Sequence, residues 1–169
     1  IDKISTKNTY HDFSVALENI NSFIHTWQLD TDKVVEVHMT IAILHKNNLI
    51  FSNIGNASAF MINRAHEIIE LTEENTSKTD FSFISNGTLK DGEIVTFAST
   101  NIQNYLAKSD ILDGLTHDHN IEVFHKNISD ILKMELTNEN ISLISFLYKR
   151  HNTVCLDEND TFLSKAQDI

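Results

Sequence analysis

Residues 35–71 read VEVHMTIAILHKNNLIFSNIGNASAFMINRAHEIIEL, and this stretch decides the fold. Its apolar runs are short, and apolar positions alternate with other residues at the two-residue period of a half-buried β-strand. Polar turn residues separate the runs at 45–48 and 63–66. Turns this short join antiparallel neighbours, whereas parallel strands need a long crossover connection. The stretch therefore predicts an antiparallel meander, interrupted at Gly55-Asn56.

Two amphipathic helices are predicted, at 8–28 and 120–134, because large apolar residues recur there at a spacing of three and four. Shorter helical patterns occupy 102–106 and 109–115. The apolar faces of the two longer helices carry Tyr10, Phe13, Leu17, Ile20, Ile24 and Trp27 in the first, and Ile121, Phe124, Ile128, Ile131 and Leu132 in the second.

Two further strands are predicted later in the chain, at 94–98 and 141–148. Asn86-Gly87 and Asp91-Gly92 are turn signals that precede the first of them. Blocks of strands separated from blocks of helices are typical of an α+β domain, in which helices are layered on antiparallel sheets.

The first helix is expected to bury its apolar face against strand residues such as Ile41 and Ile43. Residues 1–149 then form one domain, and residues 150–169, which turn polar and acidic, form a tail or linker. Since the sequence starts at Ile1 rather than methionine, we expect the chain to be a segment of a longer protein.

The composition of the chain excludes several classes of protein. Thirteen Lys and Arg stand against 24 Asp and Glu, and the resulting formal charge of −11 repels phosphate backbones and anionic lipid. No apolar run approaches the roughly 20 residues of a membrane span. Four isolated glycines leave no phosphate-binding loop. We therefore expect that this segment neither binds nucleic acid nor inserts into a membrane. We expect its partner to be a protein, a peptide or another domain of the parent chain.

The local motifs that could carry chemistry are weak. His117-Asp118-His119 could ligate a metal from an extended segment, although a helix-capping linker explains the same residues. Cys155 is the single cysteine, so an internal disulfide is excluded and a reducing compartment is favoured. Its acidic neighbours oppose thiolate formation. No G-x-S-x-G nucleophile motif occurs.

Three segments, in order, resemble the PPM-type (type 2C) family of metal-dependent serine/threonine phosphatases. Residues 40–60, with Asn53-Ile54-Gly55-Asn56-Ala57-Ser58-Ala59, are similar to the family's Thr-led strand, hairpin and Ala-Asn-Val-Gly-Asp-Ser-Arg-Ala run. Residues 87–101 resemble its Gly-Asp, apolar strand and Ser-Asp-Gly, and residues 139–144 resemble its Asp-Asn before the last strand. The resemblance implies an α/β/β/α sandwich of two antiparallel β-sheets packed face to face with flanking helices. We expect a trimmed version, in which N-terminal strands could be missing.

The residues that the family uses to bind metal differ in this sequence. In the family, aspartates hold two Mg²⁺ or Mn²⁺ ions, and metal-bound water attacks the phosphorus. The resemblance places these aspartates on Asn56, Thr100 and Glu139, the last two followed by Asn101 and Asn140. Only Glu139 keeps a carboxylate, and a hard divalent cation needs several carboxylate oxygens. The resemblance thus implies no catalytic residue and no bound metal or other cofactor.

The same four positions, Thr100, Asn101, Glu139 and Asn140, are expected to converge at one end of the sheets. If the strands at 94–98 and 141–148 pair antiparallel, the end of one lies beside the start of the other.

The leading hypothesis is a catalytically degenerate phosphatase-like domain that acts as a binding or regulatory module in a larger protein. One alternative is an active metal-dependent serine/threonine phosphatase with Mg²⁺ or Mn²⁺, whose missing ligands lie upstream and whose site is completed by Glu139 and Asp91 or Asp80. Another alternative is an unrelated α+β domain.

Overall fold

The structure, a computed structural model, describes residues 6–31, 36–72, 79–100, 102, 105, 120–135 and 141–150. The described helices and strands are, in chain order, α1 (Thr6–Thr31), β1 (Met39–His45), β2 (Asn48–Ile54), β3 (Ser58–Ile62), β4 (Ile68–Glu70), β5 (Ser85–Thr88), β6 (Ile94–Ala98), α2 (Ile121–Glu135) and β7 (Leu143–Leu147).

The strands form two antiparallel sheets, with the orders β1-β2-β5 and β4-β3-β6-β7. Both predicted tight turns are present: β1 and β2 pair from Met39↔Ile54 to His45↔Asn48, and β3 pairs with β4. The predicted meander is nevertheless divided at Gly55-Asn56, because β2 lies in the first sheet and β3 in the second. The chain therefore crosses between the sheets at the point where the sequence predicted only an interruption.

The two sheets pack face to face through alternate residues of their central strands. Leu49 and Phe51 of β2 contact Val95 and Phe97 of β6 in one buried cluster. The rings of Phe51 and Phe97 lie 5.7 Å apart in a tilted arrangement. The alternate positions on each strand face outward to a helix, so the layers are helix, sheet, sheet, helix. The predicted α/β/β/α sandwich is confirmed.

Helix α1 covers the first sheet. Phe13, Leu17 and Ile24 are buried with Ile50 and Ile54 of the central strand β2. The predicted partner Ile41 packs at the margin of this cluster. The other predicted partner, Ile43, is instead 37% exposed, and Tyr10 and Trp27 towards the two ends of the helix are 42% and 41% exposed. The physical reason is that β1 is an edge strand and α1 lies over the middle of the sheet.

Helix α2 covers the second sheet. Phe124, Ile128 and Leu132 are buried against Phe60 and Ile62 of β3 and their neighbours. Asn120 caps the helix, since its side-chain oxygen accepts a hydrogen bond from the Glu122 N–H at 3.0 Å. Both predicted long helices are therefore present, and each buries the face that its spacing indicates.

One predicted turn is wrong. Asn86-Gly87 lies within β5, where Ile50↔Asn86 and Leu49↔Gly87 pair across the first sheet. Pairing with a buried strand outweighs the local turn preference of this dipeptide. The Asp91-Gly92 turn is confirmed, and Gly92 adopts a φ of 85° there.

Several predictions fall largely or wholly on residues outside the described ranges. They are the short helices at 102–106 and 109–115, the His117-Asp118-His119 cluster, the segment 150–169 and its Cys155. Within the ranges that are described, no helix is long and apolar enough to cross a membrane.

Candidate functional site

A cleft of about 340 Å³ opens between the two sheets at the end where β6 finishes and β7 begins. The start of β1 forms one wall, and the adjoining ends of β6 and β7 form the other. The residues that line it are His38, Met39, Thr40, Phe97, Ala98, Ser99, Ser142, Leu143 and Ile144. We refer to it below as the end cleft. A concave site at the ends of strands is a common place for a ligand.

The pairing of β6 with β7 forms the second wall of the end cleft. The two strands are antiparallel, with Ala98 opposite Leu143, as the sequence predicted. Just beyond this pair, the Ser99 N–H donates to the Ser142 carbonyl and the Ser142 N–H donates to Ser99 Oγ, each at 3.0 Å. The end of β6 and the start of β7 are thus fixed side by side.

Two of the predicted site positions lie at this end of the sandwich. Thr100 follows Ser99, and its carbonyl accepts a hydrogen bond of 2.7 Å from the buried Ser58 hydroxyl. Asn56 is exposed, and its backbone N–H donates to Nδ1 of His38 at 2.9 Å. Asn101, Glu139 and Asn140 lie outside the described residues. Their convergence with Thr100 stays a prediction.

Gly55 brings the Asn56 turn close to the wall of the end cleft. Gly55 adopts a φ of 70°, a left-handed conformation that disfavours other residues. A Cβ at this position would collide with the carbonyl oxygen of Val37 and with Nδ1 of His38. A glycine is therefore required here, and it lets the turn contact the segment that leads into β1.

Thr40 lines the end cleft, although the sequence did not indicate that it would be a site residue. Its Oγ1 is buried and has no hydrogen-bond partner among the described residues. Leaving such a group unpaired costs about 1–3 kcal/mol. His38 also lines the cleft. Thr40 begins the segment that resembles the family's Thr-led strand, but that resemblance did not indicate its place in the cleft, and His38 belongs to no local motif.

The architecture matches that of solved bacterial serine/threonine phosphatases. The S. agalactiae enzyme gives a TM-score of 0.64 at 16% identity, over 88% of this chain and 74% of its own. The Mycobacterium tuberculosis phosphatase PstP/Ppp gives 0.61 at 13% identity, over 79% and 70% respectively. The Pseudomonas aeruginosa protein PppA, a key regulatory component of the T6SS, gives 0.61 at 10% identity, over 85% and 72%.

The chain has the fold of the PPM-type serine/threonine phosphatases. The alternative of an unrelated α+β domain is therefore wrong. No protein-family model and no curated protein matches the sequence. At identities of 10–16% the likeness establishes the PPM fold and leaves the activity to be argued from the site.

The donor groups of the end cleft do not fit a pair of divalent metal ions. A structure of the PstP catalytic domain contains two manganese ions. Among the described residues, the side-chain donors that line the cleft are the hydroxyls of Thr40, Ser99 and Ser142 and the imidazole of His38. Across the part of the chain that the structure describes, no three His, Cys, Asp or Glu side chains are grouped so as to hold a metal. Hard cations such as Mg²⁺ require carboxylate oxygens, which these side chains do not supply.

Asp91 and Asp80, the two carboxylates that could complete an active site with Glu139, are not among the residues that line the end cleft. Asp91 precedes β6, at the end of that strand opposite the cleft, where it forms an ion pair with Arg64. Asp80 adjoins Phe81, which packs under α1, and the Asp80 carboxylate accepts a hydrogen bond from the Thr79 hydroxyl at 2.9 Å. Asp91 is therefore too far away to be a ligand at the end cleft, and Asp80 is not among the residues that line it.

Proposed function

We propose that this chain is a catalytically degenerate PPM-type phosphatase domain that acts as a binding or regulatory module within a larger protein. The observation that supports it is the chemistry of the described residues that line the end cleft, whose polar side chains are hydroxyls and an imidazole and include no carboxylate. Without several anionic oxygens at one point, the cost of removing water from a divalent cation is not offset by its interaction with the protein. Activation of a metal-bound water for attack on phosphorus is then lost.

The end cleft retains features that suit a neutral ligand. Its polar groups include the Ser142 hydroxyl and the His38 imidazole, and its apolar wall includes Met39, Leu143 and Ile144. Ile144 is 64% exposed, so its side chain is accessible to a ligand. A peptide supplies both the amide groups and the apolar side chains that such a surface can bind. We therefore propose that a protein or peptide partner, or another domain of the parent chain, occupies the cleft.

Residues 1–149 are proposed to be this domain, with residues 150–169 as an acidic tail or linker to the rest of the protein. In this proposal the segment 150–169 takes no part in the end cleft.

The second candidate is an active phosphatase that requires Mn²⁺ or Mg²⁺. The two manganese ions in the PstP structure and the carboxylate at Glu139 favour it. It needs further ligands that neither Asp91 nor the residues lining the end cleft provide.

A metal titration separates the two candidates. The thermal unfolding of the wild type is measured with and without millimolar MnCl₂, together with hydrolysis of a phosphothreonine peptide. For the wild type, we expect MnCl₂ to leave the melting temperature unchanged and the phosphothreonine peptide to remain unhydrolysed. The double variant Thr100→Asp with Glu139→Asp should gain several degrees in the presence of Mn²⁺, because a ligand that binds only the folded state stabilises it.

The matched control for the added charge is Thr88→Asp, at an exposed position of β5. It should show no response to Mn²⁺. Turnover by the wild type, with a melting temperature raised by Mn²⁺, would establish the active phosphatase and refute degeneracy. No response from the double variant would show that Thr100 and Glu139 do not occupy equivalent metal positions.

A further inference from the structure

A second groove, of about 740 Å³, lies at the opposite end of the sandwich from the end cleft. Three chain segments meet there: the β1–β2 turn with Lys46, the β5–β6 connection with Lys90, and the end of β7 with Lys149 and Arg150. Leu89 and Tyr148 contribute apolar surface between the cations. We name it the basic groove.

The basic groove concentrates positive charge in an acidic chain. Four of the 13 Lys and Arg residues line it, although the net charge of the chain is −11. Among the described residues that line it, Asp91 is the one acidic residue, and both of its oxygens are engaged: Oδ2 by Arg64 and Oδ1 by the Arg150 N–H at 2.7 Å. Among the described residues, no carboxylate forms an ion pair with the side chains of the four cations.

Backbone hydrogen bonds hold the three segments of the basic groove together. The Leu89 N–H donates to the Asn47 carbonyl at 2.7 Å, which joins the β5–β6 connection to the β1–β2 turn. The Gly92 N–H donates to the Tyr148 carbonyl and the Tyr148 N–H donates to the Glu93 carbonyl, each at 2.8 Å. The backbone segments that carry the cations are therefore held together before any ligand arrives, and the entropic cost of ordering the backbone on binding is reduced.

We propose that the basic groove binds an acidic peptide segment of a partner protein. The four cations attract carboxylates at short range. The negative charges elsewhere on the surface repel an acidic peptide, but screening at physiological salt limits that repulsion to about 8–10 Å. The volume lies within the range of roughly 300–1,000 Å³ that is typical of ligand sites. A nucleic acid strand is disfavoured, because a long phosphate chain would extend from the groove over the acidic remainder of the surface.

The proposal goes beyond the binding role of the end cleft and does not depend on whether that cleft is catalytic. Its probe is a fluorescein-labelled octaglutamate peptide, whose fluorescence polarisation is titrated with the full chain. The groove variant is Lys90→Gln with Lys149→Gln. The matched control is Lys126→Gln with Lys133→Gln, which removes the same charge from exposed positions of α2.

We expect the groove variant to bind the peptide roughly fivefold to twentyfold more weakly than the wild type, as the loss of two exposed charge pairs implies. The affinity of the control variant for the peptide should stay within about twofold of the wild-type affinity. Binding by the wild type should weaken as NaCl is raised from about 50 to about 300 mM, because salt screens the charges. Circular dichroism establishes that each variant is folded.

Three results would overturn the proposal. The first is no binding of the peptide by the wild type. The second is an equal loss in both lysine variants, which would assign the effect to net charge rather than to the groove. The third is tighter binding of an oligothymidine of equal length, which would make the groove a nucleic acid site. None of these results bears on the response to Mn²⁺, so a failure here is distinct from a failure of the proposed degeneracy.

Discussion

Replacing Gly55 with alanine should destabilise the domain at the wall of the end cleft. The φ of 70° at this residue costs an L-amino acid about 1–2 kcal/mol. The added Cβ would also collide with the Val37 carbonyl oxygen, a backbone atom that cannot rotate aside, and with Nδ1 of His38. Relief of such an overlap requires a shift of the backbone, typically about 1–3 kcal/mol. Together these terms predict a loss of about 2–5 kcal/mol in the free energy of unfolding.

Two other glycines provide matched controls for this substitution. Gly92 also has a positive φ, of 85°, but its Cβ would meet the flexible side chain of Arg64 at 2.7 Å. Because that side chain can move, Gly92→Ala should lose only the conformational part, about 1–2 kcal/mol. Gly87 has no heavy atom within 4 Å of its added Cβ. Gly87→Ala should be neutral, or stabilise by up to about 1 kcal/mol through a less flexible unfolded chain.

The assay is equilibrium unfolding in urea, followed by the fluorescence of the single tryptophan and by circular dichroism. The predicted order of stability loss is Gly55→Ala, then Gly92→Ala, then Gly87→Ala. If Gly55→Ala loses no more stability than Gly87→Ala, the close approach of the Asn56 turn to the start of β1 is wrong. The proposed wall of the end cleft then fails with it.

Two further substitutions test the core and the cleft. Leu17→Ala should lower the free energy of unfolding in urea by about 2–5 kcal/mol, because Leu17 is 3% exposed within the cluster under α1. An unchanged free energy would mean that this helix is not packed on the first sheet. Thr40→Val should leave the free energy of unfolding unchanged or raise it by up to about 3 kcal/mol, because it removes a buried hydroxyl that lacks a partner among the described residues. Thermal unfolding measures this second effect, and a marked loss of stability would show that the hydroxyl is paired in solution.

Local periodicity was sufficient to predict the elements of this fold. The alternation along residues 39–45 and the two-residue turn at Lys46-Asn47 fix the β1–β2 hairpin, because the length of a turn sets its register. The spacing of Phe124, Ile128 and Leu132 likewise identifies the buried face of α2. These signals lie within a few residues of one another, so they can be read before any tertiary contact is known.

The division of strands between sheets could not be predicted in this way. Alternating residues on β2 and β3 would suit a shared sheet as well as two facing ones. The choice is made by long-range pairs, Phe51↔Ser85 in the first sheet and Ala59↔Phe97 in the second. The same long-range pairing turned Asn86-Gly87 into part of a strand.

The candidate site was only partly predictable. Thr100 could be placed because the antiparallel pairing of two neighbouring strands determines which ends meet. Thr40 could not, because its position depends on the register Thr40↔Asn53 and on how the first sheet packs over the second. The side chains that define the chemistry of the end cleft come from both sheets, and no single motif contains them.

The end cleft and the basic groove lie at opposite ends of the same two strands. Strand β6 leads from Glu93, beside the groove, to Ser99 in the cleft, and β7 returns from Ser142 to Tyr148. The five residues of β6 span about 16 Å, which exceeds the screening length of about 8–10 Å at physiological salt. Charge neutralisation in the groove should therefore leave the affinity of the cleft unchanged. If both proposed binding roles hold, the domain binds two partners independently, and this arrangement suits an adaptor better than a switch.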